Sequence, residues 1–108
     1  MAKRRAERVR TSGVTHVGFV GTQAKFTAPL MDFSPFGLSV RTSQKVEMGM
    51  IFRLGVKVDT DYFRAAGVVR RVLPEGFAVE FLSMTLLDRQ TMRRLYLRLQ
   101  MAAAAAAR

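Results

Sequence analysis

The chain has 108 residues, 49% of them apolar, which predicts one folded domain with a modest core. It contains no cysteine, which excludes disulfides and thiolate metal sites and fits a reducing compartment such as the cytoplasm. The formal net charge of +10 favours anionic partners, and neither a bilayer-spanning apolar run nor a secretory signal is present.

The first segment of the chain is strongly basic. In residues 3–10, KRRAERVR, five residues are basic and Glu7 is the one acid. Val9 is the one apolar residue there larger than alanine, so the segment buries too little surface to offset the entropy of ordering it. We therefore predict a flexible basic arm over residues 1–13, which becomes ordered when an anion neutralises its charges.

Six short segments downstream have the residue pattern of β-strands. They are rich in β-branched and aromatic residues or alternate apolar with polar residues, and turn-forming residues separate them. The segments are VTHVGFVG (14–21), AKFTAPLM (24–31), GLSVRTS (37–43), MIFRLGVKV (50–58), YFRAAGVVRRV (62–72) and FAVEFL (77–82). Their number and near-regular spacing predict a small antiparallel barrel or sandwich over residues 14–82.

The apolar spacing changes to a helical period after the last strand. One stripe combines Met84, Leu87, Thr91, Leu95 and Leu99. This stripe predicts a C-terminal helix over residues 84–101. The alanines of the segment 102–108 either prolong that helix or form a frayed tail. The far face carries leucines, which suggests a homodimer contact through the helix: Leu86 and Leu97.

Catalytic patterns are missing from the sequence. The single histidine, His16, falls in a strand segment without a neighbouring carboxylate or nucleophile. There is no HExxH motif, no acidic pair at metal-ligand spacing and no glycine-rich phosphate loop, and Asp59 and Asp61 fit a hairpin turn. We therefore predict that the chain is not an enzyme and needs no metal or cofactor.

Two short motifs carry most of the functional information. Arg4 and Arg8 have the spacing RxxxR, which alone fits a solvated basic tail, because the same spacing recurs twice in the predicted helix. The second motif, DFSPFG, begins at Asp32 and also has turn chemistry. Asp32 can bond to the backbone, Pro35 fixes φ, and Gly37 tolerates a positive φ.

Together, the two motifs resemble the signatures of the PilZ domain family, receptors for bacterial cyclic di-GMP. The family signatures are RxxxR and [D/N]xSxxG, and both occur here in that order. The resemblance continues through DFSPFGLSV, VEMGMIF, GVVRRV and GFAVEFLSM to the predicted helix. Many relatives carry a second glycine where this chain has Ala78, a departure that we expect to affect packing rather than ligand contact. The resemblance implies a six-stranded antiparallel β-barrel followed by a C-terminal helix.

The resemblance also implies that the two arginines of the first motif bind the ligand. Arg4 and Arg8 would serve guanine and phosphate, because guanidinium groups pair with the guanine edge, stack on purines and bind phosphate oxygens. Lys3 and Arg5 flank the motif as auxiliary phosphate contacts. A basic residue such as Lys3 before the first arginine accompanies an intercalated ligand dimer in the family, so we expect two ligands per chain.

The second motif supplies the remaining expected contacts. Asp32 would accept hydrogen bonds from the N–H groups of guanine, and Ser34 would bond to the base or to a phosphate. Gly37 lacks a Cβ, so backbone or ligand can approach it closely.

The predicted function is that of a cytoplasmic cyclic di-GMP receptor, which changes conformation on binding and passes the signal to an unidentified protein partner. Two alternatives stay open. One is a PilZ-like domain that binds no ligand and acts as a protein-interaction module. The other is a basic β-barrel that binds single-stranded nucleic acid, although such a barrel needs aromatic side chains along a groove and this chain has no Trp and two Tyr.

Overall fold

Seven strands and one helix form the part of the chain that the computed structural model describes, residues 8–10 and 15–106. The elements are β1 (Val9–Arg10), β2 (His16–Val20), β3 (Lys25–Ser34), β4 (Gly37–Arg41), β5 (Ile51–Val58), β6 (Asp61–Leu73), β7 (Gly76–Ser83) and α1 (Leu86–Ala106). The helix therefore continues into the alanines as far as Ala106.

Six of the strands close into an antiparallel barrel. Their order is β3-β2-β5-β6-β7-β4, and pairing of β4 with β3 completes the ring. The first half of β3 pairs with β2, while its second half pairs with β4 on one side and with the short β1 on the other. The predicted six-stranded antiparallel barrel with a C-terminal helix is confirmed.

Aromatic and β-branched side chains fill the barrel. The largest buried ones are phenylalanines, which pack ring against ring: Phe19, Phe33, Phe63 and Phe77. The helix covers this core with Met92, Leu95 and Tyr96, and the rings of Tyr96 and Phe33 lie 6.1 Å apart. Leu87, which the predicted stripe placed on the core face, is instead 74% exposed, because the buried face of α1 begins a turn later, at Met92.

The strand β1 differs from the predicted flexible arm. Val9 is buried in the barrel core and pairs with Phe33, while Arg10 pairs with Asp32. The prediction counted the apolar surface of the arm by itself and so missed that Val9 joins the barrel core on a strand that contacts both β3 and α1. The rest of the predicted arm, residues 1–7 and 11–13, lies outside the described residues.

The strand register shifts at several points on the barrel wall, two of which adjoin Asp32 and Arg71. The register shifts between Leu30 and Asp32 in β3, and between Val69 and Arg71 in β6. A bulge adds one residue to a strand and redirects the neighbouring side chains, a device common beside binding sites. The second bulge leaves two consecutive arginines exposed on the same strand, Arg70 and Arg71.

Polar contacts at both ends of the packed segment fasten α1 to β6. At the start of the helix, Thr85 Oγ1 accepts the Asp88 N–H at 3.0 Å and donates to Asp88 Oδ2 at 2.6 Å, which caps the helix. Asp88 Oδ1 also accepts the Arg64 N–H of β6 at 3.0 Å. Further along, Arg98 donates to Asp61 Oδ2 at 2.9 Å.

Within the described residues, no helix combines the length and the apolar character that a membrane crossing requires.

We expect Gly76→Ala to destabilise the barrel strongly. A Cβ at Gly76 would overlap the carbonyl oxygen of Val40 on the neighbouring strand, so β4 and β7 would have to separate. The free energy of unfolding should fall by about 1–3 kcal/mol, the usual cost of overpacking. The matched control is Gly18→Ala, where the nearest atom to the new Cβ is Gly55 O at 3.9 Å. Equal denaturant midpoints for the two variants would contradict this account.

A second prediction concerns pH and Asp88. The Thr85 hydroxyl, together with the Arg64 N–H and charge, outweighs desolvation and lowers the pKa of Asp88. A lowered folded-state pKa stabilises the protein above the unfolded pKa, and this stability is lost as pH falls through the folded pKa. Wild type should therefore unfold less readily than Asp88→Asn near pH 7, and the gap should shrink below about pH 4. Chemical denaturation across pH measures the difference in free energy of unfolding between wild type and Asp88→Asn, with Asp59→Asn as the control for lost charge. A difference that does not change with pH would contradict the lowered pKa of Asp88.

Candidate ligand-binding site

The two sequence motifs meet where β1 lies beside β3. Arg8 Nε donates to Asp32 Oδ1 at 2.9 Å, and the two side chains are 27% and 25% exposed. The pairing of Arg10 with Asp32 sets this contact, since it fixes the chain just after Arg8. A guanidinium has five N–H donors, and this bond uses one of them. The pair is therefore held in place while both groups keep access to solvent and further bonding capacity.

The link between β3 and β4 depends on two buried residues of the second motif. Ser34 Oγ accepts the Phe36 N–H at 3.2 Å, and Ser34 is 2% exposed. Gly37 pairs with Ser34, and a Cβ there would overlap the Val79 carbonyl oxygen. Gly37 does not have a positive φ, so the turn does not use that tolerance. The glycine is required by the close approach of the β7 backbone, in line with the expectation that its missing Cβ lets backbone approach.

The structure describes four of the seven predicted ligand-binding residues. It brings Arg8 and Asp32 together at the surface, whereas Ser34 and Gly37 are buried and support the turn that carries Asp32. The other three lie outside the described residues: Lys3, Arg4 and Arg5.

A row of side chains crosses the outside of the barrel through Asp32. Successive Cα pairings join β1, β3, β4, β7 and β6 in the sequence Arg10, Asp32, Ser39, Ala78 and Arg71. Directly paired residues point to the same face of a sheet, so this row lies on one surface. The two end members are exposed arginines, and the middle of the row is buried. The row includes Ala78, which is buried, and the expectation that this residue affects packing rather than ligand contact stays a prediction.

Two adjacent hollows lie along this row and share Arg71. The first, which we call the motif hollow, has a volume of about 220 Å³ and is lined by Arg8, Phe36, Gly37, Arg70, Arg71, Ala78, Val79 and Glu80. The second, which we call the Ser39 hollow, has a volume of about 450 Å³, and its polar and charged lining consists of Arg10, Asp32, Ser39, Arg41, Arg71 and Glu75.

The lining of the two hollows is cationic. Five different arginines contribute to it against three acids, an excess of two positive charges. Two of the acids already have arginine partners: Asp32 bonds to Arg8, and Glu80 accepts from Arg70 Nε at 2.7 Å. The surface therefore suits an anionic ligand.

Sequence reasoning missed three of these arginines, Arg41, Arg70 and Arg71. These arginines reach the site because distant strands pair in a particular register, and the local sequence pattern carries no information on that register. One signal was present: the adjacent pair in GVVRRV breaks the alternation of a regular strand, as a bulge with two exposed side chains does.

Comparison with known proteins identifies the family. The model of the PilZ domain matches residues 2–98, so the chain belongs to the PilZ domain family. No curated protein matches the chain. The fold is similar to that of the PilZ domain of YcgR from Escherichia coli solved with cyclic di-GMP, at 16% identity, with a TM-score of 0.77 and 98% of each chain covered.

Two longer proteins contain a similar unit. The MrkH–cyclic di-GMP complex of K. pneumonia has a TM-score of 0.81 at 14% identity, and the Bacillus subtilis inhibitor of motility MotI (DgrA) has 0.76 at 20% identity. These matches cover 98% and 94% of this chain but 56% and 53% of the other chains. The chain therefore spans about half the length of these two relatives, and at such identities the likeness establishes the fold.

Proposed function

We propose that the chain is a cyclic di-GMP-binding receptor domain. The observation that carries this proposal is the 2.9 Å contact between Arg8 and Asp32, which joins the RxxxR and DxSxxG signatures beside two arginine-lined hollows. Family membership supports it, as does the fold shared with proteins solved in complex with cyclic di-GMP. The domain acts as a binding module rather than an enzyme and works in the cytoplasm.

The roles of the two paired residues follow from their chemistry. A carboxylate offers about four lone-pair sites, and Arg8 takes one of those on Asp32, so the N–H edge of a guanine can use the others. The remaining donors of Arg8 can bind guanine O6 and N7 or a phosphate oxygen. Arg4, with Lys3 and Arg5 beside it, completes the cationic side of the site and holds the ligand as an intercalated pair.

The signal passes from the site to the helix through β1. Val9 directly follows Arg8 and is buried in the core, and its strand β1 contacts both β3 and α1. A ligand that draws Arg8 towards itself therefore acts on β1 and on the packing of α1. The helix presents exposed apolar side chains to a partner protein or to a second copy of the chain: Leu86, Leu97 and Met101.

The direct test is isothermal calorimetry with four nucleotides. Cyclic di-GMP should bind more tightly than cyclic di-AMP, GMP or GTP, because the arginine and carboxylate groups match the guanine edge and two phosphates are present in one compact ligand. The same titration measures the ratio of ligand to chain, which we expect to be two. Equal affinity for cyclic di-AMP would contradict the guanine assignment, and no binding at all would favour a ligand-free interaction module.

Arg8→Ala and Asp32→Ala should each weaken cyclic di-GMP binding by more than about 1 kcal/mol, because each leaves a desolvated polar partner unpaired. Both should change folding stability little, since a partly exposed ion pair contributes about 0–1 kcal/mol.

A double variant and a matched control sharpen this test. If the two residues bind the ligand as a unit, the loss in the double variant should be smaller than the sum of the single losses. Arg53→Ala removes the same charge from β5, outside both hollows, and should leave affinity close to wild type. A large fall in melting temperature with unchanged affinity would instead assign the pair a purely structural role.

A further inference from the structure

Ser39 on β4 carries a buried hydroxyl group whose bonding is unexplained. Its neighbours Leu38 and Val40 belong to the barrel core, so Ser39 faces outwards, yet it is 2% exposed. Within the part of the chain that the structure describes, Ser39 Oγ has no hydrogen-bond partner. Buried polar groups are nearly always paired, so such a hydroxyl marks a position where a ligand can supply the missing bond.

Three exposed arginines surround this hydroxyl in the Ser39 hollow. Arg10 and Arg71 end the row that passes through Ser39, and Arg41 lies two residues along the same strand and therefore on the same face. The bulge in β6 fixes the position of Arg71 next to Ala78. The donors thus come from three different strands and converge on one cavity.

The charges of the Ser39 hollow favour an anion over a neutral group. Its lining contains two carboxylates, Asp32 and Glu75, against three arginines. Asp32 is already paired with Arg8, which further offsets its charge.

We propose that the Ser39 hollow is a second anion-binding subsite, in which Arg41, Arg71 and the Ser39 hydroxyl hold a phosphate group of the ligand. This inference rests on the proposed function and extends it, since neither sequence motif contains these three residues. Guanidinium groups bind phosphate oxygens with paired N–H donors, and a serine hydroxyl donates to the same kind of oxygen. The ligand therefore spans the row from the Arg8–Asp32 pair to Arg71.

The subsite is tested first with inorganic phosphate, without the nucleotide. An NMR titration should give saturable shifts of the Ser39 and Arg41 amides in wild type, and Arg71→Met should abolish them. Arg53→Met removes an equal charge from β5 and should retain the shifts. No shifts in wild type, or the same response in both variants, would overturn the subsite.

Ser39→Ala gives a signature that a structural serine cannot produce. Removing an unpaired buried hydroxyl should raise the melting temperature of the free protein, while loss of the donor should weaken cyclic di-GMP binding about fivefold. Arg71→Met should weaken it about tenfold, and Arg53→Met should have little effect. A lower melting temperature with unchanged affinity in Ser39→Ala would show that the hydroxyl is structural and refute its role in binding.

The two proposals fail in different ways. If wild type shows the phosphate shifts but does not bind cyclic di-GMP, the proposed function is wrong and the anion subsite stands. If wild type and Arg71→Met bind cyclic di-GMP equally and phosphate shifts nothing, the subsite is wrong and the proposed function stands.

Discussion

Closure of the barrel through β3 is the constraint on which the candidate site depends. This strand pairs with β2 along its first half and with β4 along its second half, and β1 adds to the edge that β2 leaves uncovered. The bulge between Leu30 and Asp32 occurs at that change of partner. Asp32 therefore lies between β1, which brings Arg8, and β4, which brings Ser39. Without the pairing of β1 with β3 the two motifs would belong to separate surfaces, and without closure by β4 Ser39 would not lie beside Asp32.

The parts of the fold that depend on local pattern could be predicted from the sequence. Alternation and turn residues located the strands, and helical spacing located α1, because both signals lie within a few residues of chain. What depends on distant pairing could not be predicted. Val9 belongs to the core because β1 pairs with β3 and contacts α1, and Gly37 is required because β7 passes close by. The alanines before Ala106 were ambiguous, since propensity alone does not decide whether a terminal helix frays.

The same distinction separates the predicted and the unpredicted members of the site. Arg8 and Asp32 stand in recognisable motifs, and their contact follows once β1 pairs with β3. Arg71 and Ser39 stand in no motif, and only the register of β4, β7 and β6 brings them onto one row. Ala78 lies on the same row and is buried, so the expectation that it affects packing rather than ligand contact stays a prediction.

The distribution of aromatic side chains bears on which anion the surface takes. A single-stranded nucleic acid needs a series of exposed rings on which successive bases stack. Most of the large rings in the described residues pack against one another inside the barrel, as Phe19 does with Phe77, and the exposed ones are Phe36 and Tyr62. The outer surface of the candidate site offers arginines instead, which suits a compact ligand held through its phosphates and base edges. Under the proposed function, the ligand would bind Arg8, which directly precedes β1, and β1 contacts α1. If binding changes the packing of α1 through β1, the coupling is reciprocal, and a partner that alters the helix would also alter affinity for the ligand.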